Sequence, residues 1–259
     1  MGRVIAIAGK GGVGKTTIAG FIIRYLKERS FVPILAVDAD PSTNLNITLG
    51  MEVNETIGSI REKARSPEIR DEPFVNYLAL IDYLELMTNY ALVEGEGIDL
   101  IAMGRVEGKG CYCAANASLR DILKRLSSNY RYVVIDNEAG LEHISRQADG
   151  KVDVMFIISD LTQKGLMTVF RINSLIKELE NEVEKTFLIL NKVKGEVPPS
   201  IPQIIHDQGL TLGGRIMEDP SFFEYELSKG SIFDIKEDTT SYRDISQILE
   251  NVNKICGLW

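Results

Sequence analysis

Cysteine is scarce, with three residues in a chain of 259. That number rules out the dense disulfide framework of a small secreted domain, so the thiols are read as reduced side chains or metal ligands. No apolar run reaches the length of a membrane span, and the start, Met-Gly-Arg followed by an apolar strand, has no charged lead-in, apolar signal core and cleavage site in succession. A cytoplasmic location is therefore expected. Basic residues are outnumbered, 29 Lys and Arg against 37 Asp and Glu, for a formal net charge of -8. Such a field repels a phosphate backbone and argues against non-specific nucleic-acid binding. Low-complexity tracts, internal repeats and linkers are also missing, so disorder does not explain function.

What is present is an ordinary globular composition, 44% hydrophobic and 25% charged. A chain of this length can wrap one large sheet, so a single domain over 1–259 is expected. Arg3 to Ala8 reads as a buried strand, Gly9 to Thr16 as a glycine loop and Thr17 to Glu28 as an amphipathic helix. Further strands are expected at Ile34–Asp38, Ile98–Met103, Tyr132–Asp136, Val154–Ser159 and Thr186–Asn191, most of them separated by helical patterns. The alternation predicts an α/β fold with a mostly parallel, roughly seven-stranded sheet covered by helices on both faces. Arg65 to Gly97 has no clean period and is left as an insertion holding helix, strand or both. A short connecting helix is expected to begin within Val197–Ile201, another to span about Ala117 to Leu126, and a closing amphipathic helix to run over Tyr242–Ile255.

Gly9-Lys10-Gly11-Gly12-Val13-Gly14-Lys15-Thr16 satisfies G-x-x-x-x-G-K-[ST] between a strand and a helix. Its glycines let successive backbone N–H groups, including those of Gly11, Gly12, Val13 and Gly14, turn toward a di- or triphosphate. Lys15 would reach the β and γ phosphates, Thr16 would offer its hydroxyl to magnesium, and the helix N-terminus would face the same anion. A bare glycine turn would leave the lysine and threonine at these places unexplained.

Lys10 within the loop, together with Thr16 and Thr17, completes the form K-G-G-x-G-K-[ST]-[ST]. Here the chain resembles the deviant P-loop ATPases that dimerise around nucleotide, a group including septum-positioning and plasmid-partition ATPases and the nitrogenase iron protein. The resemblance implies that Lys10 crosses to the partner's nucleotide and neutralises charge during phosphoryl transfer. A solvated loop charge is the alternative.

Val37-Asp38-Ala39-Asp40-Pro41 brings two carboxylates to the C-terminal edge of a strand, where ligands of open α/β folds collect. The resemblance gives Asp40 the attacking water and Asp38 a place near the magnesium shell, while an Asx turn over Asp40-Pro41-Ser42 is the structural alternative. Tyr132-Val133-Val134-Ile135-Asp136 is an apolar strand ending in an acid, the form of a carboxylate that holds magnesium through water. It leads into Asn137-Glu138-Ala139-Gly140, where the family usually has a small hydroxyl residue in place of Asn137 and where Gly140 would allow a switch loop to shift. Asn191 before Lys192 matches the family's purine-contacting segment, although a strand-ending Asn is also a common turn residue. Adenine over guanine follows only from the resemblance, which implies ATP.

Cys111 and Cys113 stand one residue apart after the glycines of Gly108-Lys109-Gly110. A closed soft-metal site commonly takes four ligands, so two thiolates from each subunit of a symmetric homodimer would complete one. Structural thiols are the alternative on spacing alone, and His143, His206 and Cys256 are left out as ligands. Together with the loop and the run Glu138 to Arg146, the pair makes most of the chain resemble the nickel-insertion ATPases of carbon monoxide dehydrogenase. That likeness implies a maturation ATPase that binds ATP, magnesium and nickel or zinc and has the dehydrogenase as client. The competing readings are a positioning ATPase acting on DNA or membrane and an iron–sulfur electron-transfer ATPase. The first wants a basic surface or terminal helix, whereas Asp244 to Trp259 holds Lys254 as its single basic residue. The second usually has its two cysteines far apart in the chain.

Overall fold

A computed structural model of the chain describes residues 2–63, 77–105, 124–137, 151–178, 183–222, 225 and 230–259, the side chains of 77–81 excepted. Seven parallel strands form one sheet: β1 (Arg3–Gly9), β2 (Ile34–Asp38), β3 (Ile98–Ala102), β4 (Tyr132–Asp136), β5 (Val152–Ser159), β6 (Val183–Val193) and β7 (Thr211–Met217). Their spatial order is β3-β2-β4-β1-β5-β6-β7. Parallel strands need crossovers, and those described are helical: α1 (Lys15–Glu28) after β1, α2 (Leu45–Leu49), α3 (Ile57–Lys63) and α4 (Tyr77–Ala91) between β2 and β3, α5 (Gln163–Glu178) after β5, and α6 (Ser200–Asp207) after β6. A 3₁₀ turn (Ile232–Asp234) and α7 (Thr240–Cys256) follow β7.

Alternation along the strands explains the two cores. In β1, Ile5 and Ile7 pack with α1 and α7, whereas Ala6 and Ala8 belong to the opposite layer with α3, α4 and α5. Tyr132 and Val134 of β4 divide from Val133 and Ile135 in the same way. A strand covered on both faces must be apolar on both, which is why these segments read as continuous hydrophobic runs. Each fully buried Ile or Phe contributes on the order of 1.5–3 kcal/mol by leaving water, and Phe21, Phe156 and Phe187 are all within this interior. Arg24 of α1 is the charged exception: it is 3% exposed, donates to the carbonyls of Ile232 and Ile235, pairs with Glu28 and lies over the Tyr242 ring. Its charge is thereby matched while it ties α1 to the C-terminal part of the fold.

The strand order puts the acids beside the loop. Because β4 inserts between β1 and β2, Asp136 registers with Ile7 on one side and with Asp38 on the other. From β1 the chain runs to β2 and β3 on one side, returns to β4 and then continues through β5, β6 and β7 on the other, so the ends of β4 and β1 flank a topological switch point, where a ligand crevice opens.

Several elements differ from the sequence expectation. The period-less region contains the helix α4, while Val93 makes an isolated antiparallel bridge to Leu100. The strand β7 had no predicted position; its sequence TLGGRIM carries two glycines at the sheet edge, and its solvent-facing half lacks an apolar run. The expected strand Thr186–Asn191 is longer, Val183–Val193, and α6 starts at Ser200, just past Pro198 and Pro199. Of the helix expected at Ala117 to Leu126, all but its last residues lie outside the described chain.

Candidate functional site: a phosphate cradle with a buried unpaired carboxylate

The loop after β1 enters α1 through Gly14 at φ +93°, a left-handed conformation that favours glycine. A Cβ at Gly14 would also stand 2.6 Å from the Asn191 amide nitrogen, so that side chain would have to shift from the loop to admit one. Gly12, at φ +80°, has open space where its Cβ would lie, so the loop's inner side is a backbone cradle. Lys15 is 8% exposed, and its ammonium donates to the Lys10 carbonyl at 3.4 Å, folding back over the loop. Thr16 and Thr17 follow Lys15 in the first turn of α1, whose fourteen residues align their peptide dipoles toward the cradle. Lys10 is half-buried at the loop's shoulder.

Asp136 ends β4 beneath this cradle at 1% exposure. Neither of its carboxylate oxygens receives a hydrogen bond. Burial pushes its carboxyl up to about 7; the Thr16 hydroxyl lies close enough to favour the charged form without completing good hydrogen-bond geometry, Asp38 adds like-charge repulsion, and Lys15 opposes it. An unpaired buried acid is costly, and next to a threonine hydroxyl it is the donor set for a hard, oxygen-seeking cation. Magnesium therefore fits these residues.

Asp38 is in a different situation. Its two oxygens accept the backbone N–H groups of Asp40 at 3.1 Å and Leu45 at 2.9 Å, shaping the segment that follows β2. Burial is the main cause that raises its carboxyl to about 6, against these bonds. Asp40, half-buried, accepts the Ser42 N–H at 2.8 Å, so the Asx turn left open by the sequence is present. It also lines the cavity beside the loop.

That cavity, about 590 Å³, runs from the loop to the ends of β6 and β7. Phe21, Ile216, Met217, Pro220 and Phe222 line its apolar part. Sequence reasoning missed the stretch Met217 to Pro220, because the strand that delivers it was not recognised. Asp219 there accepts from the backbone and hydroxyls of Ser221 and Ser241, and these bonds outweigh burial to hold its carboxyl below the usual range. Asn191, expected to contact a base, also lines the cavity, but its amide donates to the Val13 carbonyl at 2.8 Å. Asn137 is buried behind the site, donating to the Ile7 carbonyl at 3.0 Å. Cys111, Cys113, Gly140 and the run Glu138 to Arg146 lie outside the described residues. Among the described residues no group of three or more His, Cys, Asp or Glu could hold a metal ion.

The family model described as an AAA domain matches residues 2–189, from β1 through most of β6. An uncharacterized ATP-binding protein of Methanocaldococcus jannaschii is 41% identical over 249 residues, 96% of this chain and 98% of its own length. The chain belongs to this family of P-loop ATPases. Another relative is the carbon monoxide dehydrogenase accessory protein CooC of Rhodospirillum rubrum, 33% identical over 68% of this chain and 69% of its own length. Among solved structures, a ParA family ATPase from Chlorobium tepidum superimposes with a TM-score of 0.71 at 20% identity, covering 96% of this chain and 98% of that one. At that identity the likeness speaks for the P-loop ATPase fold alone. No helix among the described residues is long and apolar enough to cross a membrane.

Proposed function

We propose that the chain is one nucleotide-binding domain that binds and hydrolyses ATP with magnesium and, as a homodimer, assists nickel insertion into carbon monoxide dehydrogenase. The observation that carries the first half is the unpaired Asp136 carboxylate buried beneath the loop beside Thr16. Magnesium held there, through Thr16 and Asp136 with Asp38 nearby, supplies charge neutralisation for phosphoryl transfer. The chain's own groups do the rest. Backbone N–H groups from Gly11 to Thr17 cradle the phosphates, Lys15 neutralises the β and γ oxygens, and Asp40 orients the attacking water. Lys10, reaching into the partner's site, would make turnover depend on dimerisation. The apolar end of the cavity accommodates a base, with Asn191 at its rim.

The second half is supported by the likeness to the accessory protein, together with the adjacent thiols Cys111 and Cys113. Thiolates bind nickel or zinc as cargo, and two chains would share one ion. No nucleic-acid or membrane partner is proposed. The test is the double substitution Cys111→Ser, Cys113→Ser, with bound nickel and zinc, ATP affinity and client activation all measured. The expected result is loss of the metal and of client activation, with ATP affinity within about twofold, since a serine hydroxyl is neither soft nor anionic at neutral pH. Unchanged metal content would remove the cysteine site and favour a positioning ATPase. A brown protein with a reducible absorption band would favour an electron-transfer ATPase instead.

A further inference from the structure

In a regular strand consecutive side chains point to opposite faces, so two neighbours cannot both grip one loop. Asn191 and Lys192 nevertheless do. Asn191 Nδ2 donates to the Val13 carbonyl at 2.8 Å, and Lys192 Nζ donates to the Gly12 carbonyl at 3.1 Å. The backbone explains how. From Leu190 to Val193 strand β6 advances three residues while β7 advances two, from Arg215 to Met217, so the strand carries a bulge at this point. Lys192 within it takes φ +55°, a left-handed conformation uncommon for a non-glycine residue. Strain of this kind persists where surrounding contacts over-determine it, and the two bonds to adjacent loop carbonyls are such contacts.

We infer that Asn191 and Lys192 form a strap that sets the conformation of the phosphate loop by holding the carbonyls of Gly12 and Val13 outward. A peptide plane has one donor and one acceptor on opposite edges. Fixing the carbonyl of Gly12 therefore aims the N–H of Val13 at the cradle, and fixing that of Val13 aims the N–H of Gly14. The strap prepares the anion site before any ligand arrives, lowering the ordering cost of binding. Gly14 belongs to the same device, since any Cβ there would strike the Asn191 amide. Both residues are positioning residues. Asn191 then acts on the phosphate end of the site, whatever base contact it also makes. The inference rests on the reading of this loop as a phosphate site.

Inorganic tripolyphosphate, which has no base, separates the possibilities. Its affinity, and ATP's, would be measured by calorimetry on the full-length chain and on Asn191→Ala, a change that leaves the net charge untouched. The amide NMR resonances of Gly12, Val13 and Gly14 would be recorded without ligand. The strap predicts that Asn191→Ala weakens tripolyphosphate and ATP alike by about tenfold and shifts or broadens the three loop resonances. Lys192→Gly, which suits the left-handed backbone and removes the ammonium contact, should disturb the same resonances, and Lys192→Arg, which keeps a cationic donor, should restore them. Lys192→Gly also stands in if Asn191→Ala does not fold. Weakened ATP with unchanged tripolyphosphate would make Asn191 a base-reading residue and overturn the strap, as would unmoved loop resonances in either variant. If the unaltered chain binds neither ligand, the phosphate-site reading itself fails; if it binds both and the variants match it, only the strap does.

Discussion

The two edges of the sheet treat polar groups in opposite ways. At the C-terminal edge Asp136 is buried with no hydrogen-bond partner, Asp38 is fully buried, and Lys192 takes a left-handed backbone. At the N-terminal edge the comparable groups are matched. Tyr130 donates to Asp99 at 2.6 Å, Tyr132 to the Leu258 carbonyl at 3.3 Å, and Asp153 receives both Arg3 and the Val4 N–H. Phe31, Tyr25 and Trp259 stack there, with Arg131 over Phe31 and Arg29 over Tyr25. Stability is built at one end and given up at the other, where the unsatisfied carboxylate of Asp136 is a group that a cation would complete.

The contrast breaks most completely at Lys15. Lys15→Ala removes the ammonium proposed to neutralise the phosphates, and nucleotide binding should fall by more than about a hundredfold in calorimetry, with the melting temperature little changed. A variant that still bound ATP at near-normal affinity would detach the C-terminal edge from phosphate recognition.

Next in size is the pH dependence set by Asp136. Its carboxyl, raised to about 7 in the fold from an ordinary value of 3.8, binds its proton more tightly folded than unfolded. The stability this contributes is therefore fully present below pH 3.8 and is lost as pH rises toward about 7, at up to about 1.4 kcal/mol per pH unit. Denaturant unfolding of the metal- and nucleotide-free chain should show stability falling between about pH 5 and pH 7, more gently where Asp136→Asn removes this titration. The same substitution should abolish magnesium-dependent hydrolysis. An unchanged slope in the variant would mean that Asp136 ionises normally and that the edge is not strained as described.

The smallest effect belongs to the opposite edge. Tyr130→Phe deletes the hydroxyl that meets Asp99 and should cost about 1–2 kcal/mol in urea unfolding, with ATP affinity unaltered. A matching loss of affinity would show that the two edges are coupled through the sheet, and the division of labour would not hold.

By itself, the sequence determined the sheet's central strands and the phosphate loop. Continuous apolar runs such as Ile34–Asp38 and Tyr132–Asp136 have no way to be satisfied except between two covering layers, and the pattern from Gly9 to Thr16 couples local backbone freedom to local charge. Both depend on residues close in the chain, and so both could be read in order. Only the tertiary structure decided the rest. Strand β7 stayed hidden because an edge strand with two glycines has little periodicity, and with it went the cavity wall from Met217 to Pro220. The missing partner of Asp136 is a fact of burial, which no spacing records. That Asn191 and Lys192 both grip a loop some 178 and 180 positions earlier depends on a bulge created by pairing with β7. Strand pairing sets which way consecutive side chains point, and pairing partners are chosen in space.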